Sequence, residues 1–298
     1  VVLTVFNKPI RAALAIAFYE QRLTSTEMSD TTETGVTATM DPDGREATLL
    51  SAFFGLDNGL PPAANRGICD GVAAMDGMPV IFSHELDTET LQAGDLEVTT
   101  ESGTTGEILC VTLAPADDKG EWRTVLVVGE LGSQHDQPAT VTIVGNLLSM
   151  DGSVNFLGAN VEVIELEAGP TITLAAVVPE ADRDLGRPAT LLRWGGGSAC
   201  SEGTQQVVRA TWAGGVTLPG GAEADDSIRS AYKVTVASAD DASRDVTPFA
   251  LGDLGDGDNN HLLCLDTTDA VVAVSFPAGL MTDPREDLNP VTQQSVDR

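Results

Sequence analysis

The chain has 298 residues, with 45 Asp or Glu against 16 Lys or Arg, a formal net charge of −29. Such a surface repels phosphate backbones and anionic lipid, which sets aside nucleic-acid binding and docking on anionic membranes. A hydrophobic content of 42% is enough for a sizeable core and excludes disorder throughout, while no apolar run reaches the ~18 residues of a membrane-spanning helix.

Near the N-terminus, Lys8 and Arg11 precede Ala12–Phe18, a short signal-like stretch with Ala15-Ile-Ala17 as a cleavage cue. An amphipathic helix fits the same residues. Residues 24–47 are rich in Thr, Asp and Glu and read as a loosely structured extension. The chain therefore divides into an extension over 1–47, a first β-sandwich over 48–180 and a second over 181–298. The boundary falls where Pro, Gly and charge concentrate, between Pro179 and Gly203.

From residue 79 onward the pattern is short, β-branched runs punctuated by Gly, Pro and Asp, as in sandwiches. Strands are expected at Pro79–Ser83, Leu96–Thr100, Ile108–Leu113, Thr124–Gly129, Ala139–Val144, Val161–Leu166 and Thr171–Val178. A second set follows at Gln206–Trp212, Ala231–Ala237, Asp245–Phe249, His261–Asp266 and Ala270–Phe276. Short helical turns are expected at Thr88–Gln92 and Ala224–Ser230. The two sets read as a diverged repeat. Val80–Leu86 corresponds to Val208–Val216, Leu96–Thr100 to Tyr232–Val236, and Val111–Pro115 to Val246–Phe249. Asp117–Val127 corresponds to Asp256–Cys264, and Val141–Ser149 to Val274–Thr282.

The run Phe82-Ser-His-Glu-Leu-Asp87, then Thr90-Leu91, Asp95 and Leu96-Glu-Val-Thr-Thr100, resembles bacterial immunoglobulin-like domains. Asp283–Asn289 is similar to their closing turn, without its glycine and with longer spacing. The resemblance covers residues 75–155 and, more weakly, 205–290. It implies an all-β fold of two tandem Greek-key sandwiches in a secreted or cell-surface protein of structural or binding role. It brings no catalytic residues.

The cysteines are Cys69, Cys110, Cys200 and Cys264, with no CxxC among them. Pairing Cys69 with Cys110 and Cys200 with Cys264 keeps each bridge within one half of the chain and fits an oxidising compartment, periplasmic or secreted. Four separate thiols fit the sequence as well.

The densest polar stretch is Asp253–Asp266 (DLGDGDNNHLLCLD). As a plain turn it needs no ligand, because Asp and Asn cap their own backbone and Gly255 and Gly257 supply positive φ. As a metal site, Asp253, Asp256 and Asp258 offer hard carboxylate oxygens and Asn260 or Asn259 a carbonyl, a set suited to Ca²⁺. The EF-hand spacing is absent. His84, His135 and His261 form no HxH or HExxH; gathered in one cleft they would instead suit Zn²⁺, the second choice of cofactor. Gly195–Ser198 is not GxSxG. Trp194, beside those glycines, is the tryptophan best placed to meet a ligand.

The first functional reading is an exported binding or structural module, calcium-stabilised, with a protein or small-molecule partner. The alternative is a metal-dependent hydrolase between the two sandwiches, using His84 or His261 with Asp256 and Asp258.

Overall fold

The computed structural model describes residues 23–183, 185, 197–238 and 242–297. The signal-like stretch and Trp194 lie outside them. The protein is almost entirely β, arranged as two β-sandwich units, each built on one eight-stranded sheet. The first holds β1 (Thr24–Ser25), β2 (Leu49–Phe53), β3 (Asp76–Phe82), β4 (Leu96–Thr100), β5 (Glu107–Thr112), β6 (Thr124–Glu130), β7 (Pro138–Ile143) and β8 (Asn160–Ile164). The second holds β9 (Ile172–Val177), β10 (Gln206–Trp212), β11 (Lys233–Ala237), β12 (Ser243–Val246), β13 (Ala250–Gly252), β14 (Asn260–Leu265), β15 (Ala270–Phe276) and β16 (Thr292–Asp297).

The strand orders are β1-β5-β6-β3-β2-β8-β7-β4 and β12-β11-β15-β16-β9-β10-β14-β13. Stripped of β1 and β12, both follow one path, in which the leading strand runs antiparallel to its successor and parallel to the last strand of its own unit. Ala52 faces Val163 in the first unit, and Ala175 faces Val296 in the second. The expected repeat pairs occupy equivalent places on this path: β3 and β10, β4 and β11, β6 and β14, β7 and β15. The partner of β5 is β13, however, and the run at Val246 belongs to β12, an extra strand beside β11. β9 hydrogen-bonds with β10 and β16, so the 171–178 run is the leading strand of the second unit. The 24–47 segment carries little regular structure, yet it is tied to the first unit through β1 on β5, buried Leu23 and the Met40–Glu46 bridge.

Alternation places the cores. Along β4, Leu96, Val98 and Thr100 are buried while Glu97 faces solvent, the half-buried pattern of an outer strand. The first core gathers Met78, Val80, Phe82, Val98, Val125, Val127, Val141 and Phe156, with Phe82 and Phe156 edge to face at 5.1 Å. The second centres on Trp212, Tyr232 and Phe276. β14 is buried at every position because both its faces are covered. Leu263 and Leu265 point into the main core; Leu262 packs outward against Val178, Leu185 and Val207.

Both disulfides expected from the sequence form, and they do the same job twice. In the first unit the connection after the leading strand lies over the outer face of the sheet, and in the second the described residues Leu185 and Cys200 of that connection pack against the same face. Leu60, Ala64 and Val72 cover Cys110 and Val128 in the first. Cys69–Cys110 pins that flap to β5, and Cys200–Cys264 pins the second flap to β14. Closing 64 residues of sequence separation is worth about 4 kcal/mol by chain entropy. Replacing both Cys200 and Cys264 with Ala is expected to lower the unfolding free energy by about that amount, read as a shift in guanidinium midpoint.

Candidate metal centre

The two turns that the sequence sets in register meet face to face across the joint between the units. One links β5 to β6 and carries Asp118 and Glu121; the other links β13 to β14 and carries Asp253, Asp256 and Asp258. Carboxylate oxygens of Asp118, Asp253 and Asp256 lie within 4.8 Å of one another, and so do those of Glu121, Asp253 and Asp258. Asp253 belongs to both groups. It is 1% exposed, and among the described residues no donor other than the neighbouring Glu121 carboxyl reaches its oxygens. Glu121 is equally buried, and Asp118, Asp256 and Asp258 are nearly so.

Local chemistry explains how so many acids point inward. Asp253 adopts φ 61, a left-handed conformation that Asp tolerates better than most side chains. Gly255 and Gly257, both at positive φ, complete the tight turn, whose amides donate to Glu223 Oε1 at 2.6 and 3.3 Å. Asp258 is held by Asn260, which donates from its backbone N–H at 2.8 Å and from Nδ2 at 2.7 Å. The Asn260 carbonyl is taken by Thr211 Oγ1 at 2.7 Å, so this residue orients Asp258. Asn259 ties the turn to both units, donating to the Trp212 carbonyl at 2.7 Å and to Thr124 Oγ1 at 3.4 Å.

Gly197, three residues before Cys200, donates its N–H to Asp118 Oδ2 at 2.9 Å. A Cβ there would sit 2.6 Å from Asp253 Oδ1 and 2.8 Å from Asp256 Oδ2. Glycine is what lets this backbone lie against the acids, and the Cys200–Cys264 bridge tethers it. The one cation packed beside the group among the described residues is buried Arg209 of β10. Its guanidinium donates to the Gly120 carbonyl and, at 3.0 Å, to that of Lys119; Nη2 lies 3.4 Å from Glu121 Oε1. It buttresses the Asp117–Gly120 turn, and its charge acts on both Glu121 and Asp253.

Neither candidate histidine joins these groups. His84 Nε2 meets Asp41 Oδ2 at 3.1 Å and its Nδ1 meets Ser83 Oγ at 2.8 Å. That serine also accepts from the Thr48 amide and bonds the Glu46 carbonyl, so the triplet fastens the 41–48 hairpin to the first sandwich. His261 Nδ1 bonds Tyr232 Oη at 2.7 Å, and Tyr232 Oη accepts from Trp212 Nε1 at 2.9 Å. Burial lowers the His261 pKa to about 4, as suits a neutral core group. The alternative site required a histidine beside Asp256 and Asp258. Among the described residues both groups of converging ligands are made of carboxylates alone. Beside the acids an apolar cavity of about 240 Å³ opens at the joint, walled by Leu56, Leu60, Ile68 and Leu126, with Asp258 and Asn259 at its edge.

The chain matches no protein-family model, and no curated protein matches it significantly. The site is therefore read from its own chemistry. Desolvation is the first cause that pushes Glu121, Asp253 and Asp258 well above the carboxylate range and Asp256 up to about 6; neighbouring carboxylates add to it. With no cation in the group, the folded protein holds protons there that the unfolded chain releases near pH 4. A raised folded-state value gives stability that is complete below about pH 4 and fades as pH climbs through the folded value. With no cation bound, the protein is accordingly expected to lose stability as pH rises from about 4 through the Asp256 value of about 6, seen as a falling urea midpoint.

Proposed function

We propose that the protein is an exported structural or binding module of two immunoglobulin-like sandwiches whose joint is closed by calcium. The observation that carries this reading is Asp253: a carboxylate buried between the units, reached by no amide or basic side chain among the described residues, lying against the Glu121 carboxyl and grouped with three more carboxylates. Ionised carboxylates brought this close repel one another in a low dielectric. They persist at neutral pH only if protons or a cation compensate them. All-oxygen ligands favour a hard cation, and ligands drawn from two loops of separate units suit calcium's loose geometry better than the strict octahedron of magnesium. Zinc would look for nitrogen or sulfur, which neither group offers.

The immunoglobulin-like reading rests on topology. In each unit the leading strand pairs antiparallel with the second and parallel with the last, and the two units share one strand path once β1 and β12 are set aside. The paired disulfides support the oxidising compartment. No helix among the described residues is long and apolar enough to cross a membrane.

Asp253→Asn gives a test with a sign. Without metal the neutral amide relieves repulsion, so the variant should melt at or above the wild-type temperature. Saturating calcium, at 100 times its dissociation constant, should stabilise the wild type by about 2.7 kcal/mol and the variant far less. Equal melting of the two proteins with and without calcium would overturn the reading. The measurement is thermal unfolding of stripped protein with and without added calcium, at fixed pH.

A further inference from the structure

Outside the cluster at the joint, Asp95 is a further carboxylate buried with an oxygen unanswered. It is 0% exposed; its Oδ2 accepts the Gln92 N–H at 2.8 Å, and its Oδ1 has no partner among the described residues. The turn Gln92–Asp95 that carries it lies against the arm of residues 27–36. Gly94 donates its N–H to the Glu27 carbonyl at 2.9 Å, and a Cβ at Gly94 would collide with the Met28 backbone. Gln92 Oε1 accepts the Thr31 N–H at 2.8 Å, and Gln92 Nε2 donates to Thr31 Oγ1 at 2.9 Å. A second wall is the connection after β7. Its Gly145 backbone lies so close to Asp95 Oδ1 that a Cβ there would collide with it. The next residue, Asn146, donates to Asp30 Oδ2 at 3.2 and 3.0 Å and to the Thr32 carbonyl at 3.1 Å, and Asn155 Nδ2 holds the Val36 carbonyl at 3.1 Å. The arm is therefore fastened to the two segments that enclose Asp95.

We propose that Asp95 is a pH-sensitive latch for this arm: protonated, it lets residues 27–36 lie closed on the first sandwich, and ionised it loosens them. Desolvation favours the neutral form of a carboxyl buried with a single backbone donor, and the Asp30 carboxylate, carried by the arm itself, adds like-charge repulsion. Together they push Asp95 up to about 7. Among the described residues no cation offsets them. Gln92, Ala93 and Gly94 on its own turn are uncharged, as are Val144, Gly145 and Asn146 beside it, and Glu27 meets the turn through its carbonyl. β5 also packs against the turn, and its one titrating side chain is the exposed Glu107. When the arm lifts, Asp95 meets water and returns to the ordinary value of about 4. The value is thus raised in the closed state. Closure is strongest below about pH 4, weakens by about tenfold per pH unit as pH rises, and levels off above about 7, where open and closed states are both ionised.

Amide hydrogen exchange of residues 27–36 in the full chain tests the latch, read as protection relative to intrinsic rates between about pH 4.5 and 8. Core amides of β3 and β6 are followed in parallel, because the acids of the joint titrate as well. In the wild type, arm protection should fall by about tenfold per pH unit up to about pH 7 and then level off. In Asp95→Asn it should stay flat, because an amide remains neutral, while the core amides follow one course in both proteins. Arm protection with the same pH course in wild type and Asp95→Asn would overturn the latch. A second measurement needs no substitution: the Asp95 carboxyl carbon is titrated by nuclear magnetic resonance in the wild type. A midpoint of about 7 supports the latch, and one at the ordinary value of about 4 overturns it.

Discussion

Burying like charges at a joint is the constraint around which this protein is organised. Hydrophobic cores hold each sandwich together without reference to the other; Phe82 and Phe156 close one, Trp212, Tyr232 and Phe276 the other. Between them, among the described residues, five buried carboxylates gather beside the buried guanidinium of Arg209. In water those acids would be solvated and mutually screened. Packed under 1 to 8% exposure they are neither, and desolvation pushes Glu121, Asp253 and Asp258 toward their protonated forms unless a cation is present.

Much of the fold serves to aim those side chains. The turn glycines and the left-handed Asp253 bend the second loop so that alternate residues face inward. Asn260 and Asn259 then fix it, one holding Asp258, the other clasping the Trp212 backbone on both its donor and acceptor sides. On the facing loop, Arg209 reaches across from the second unit to hold two carbonyls of the first. The flap pinned by Cys200–Cys264 brings Gly197 against Asp118 and Asp253. A change at any of these supports would act on the cluster without touching a carboxylate. Lys119 adds an outer clasp, pairing with Asp182 at 2.7 Å where the chain leaves the leading strand of the second unit.

Strand positions were legible wherever β-branched residues alternated, as in Thr124–Glu130 and Ala270–Phe276. They were not legible where burial came from tertiary context. Thr292–Asp297 (TQQSVD) has almost no apolar signal, yet it sits between β15 and β9 because the sandwich needs a last strand there. Leu49–Phe53 is too short and too continuously apolar to be told from a helical fragment by period. The acidic turn at Asp253–Asp258 stood out by composition alone. Its other half did not, since Asp117-Asp-Lys-Gly-Glu121 looks like any solvated turn in so acidic a chain. The signal that could have found it was the repeat itself. Asp117 and Asp256 were already equivalent, and two equivalent acidic turns in tandem units are candidates to meet. The histidines misled for the opposite reason. A titratable ring draws attention in sequence, but Asp41 and Tyr232 satisfy these two locally.

The surface charge and the joint belong to one argument. A net charge of −29 draws cations toward the molecule as a whole, raising their concentration near any buried acidic group. It also makes two like-charged sandwiches repel, so an apolar interface between them would work against the field on either side of it. On the calcium reading proposed above, the ions this field attracts are the ones that would close the contact. The apolar cavity beside it takes walls from residues 53–68, 113–116 and 126 of the first unit and from 214–215, 257–259 and 284 of the second. Its shape is thereby set by how the two units sit together. Asp258 stands at one edge of that cavity, so the protonation or ligation of the joint acts directly on this apolar concave surface.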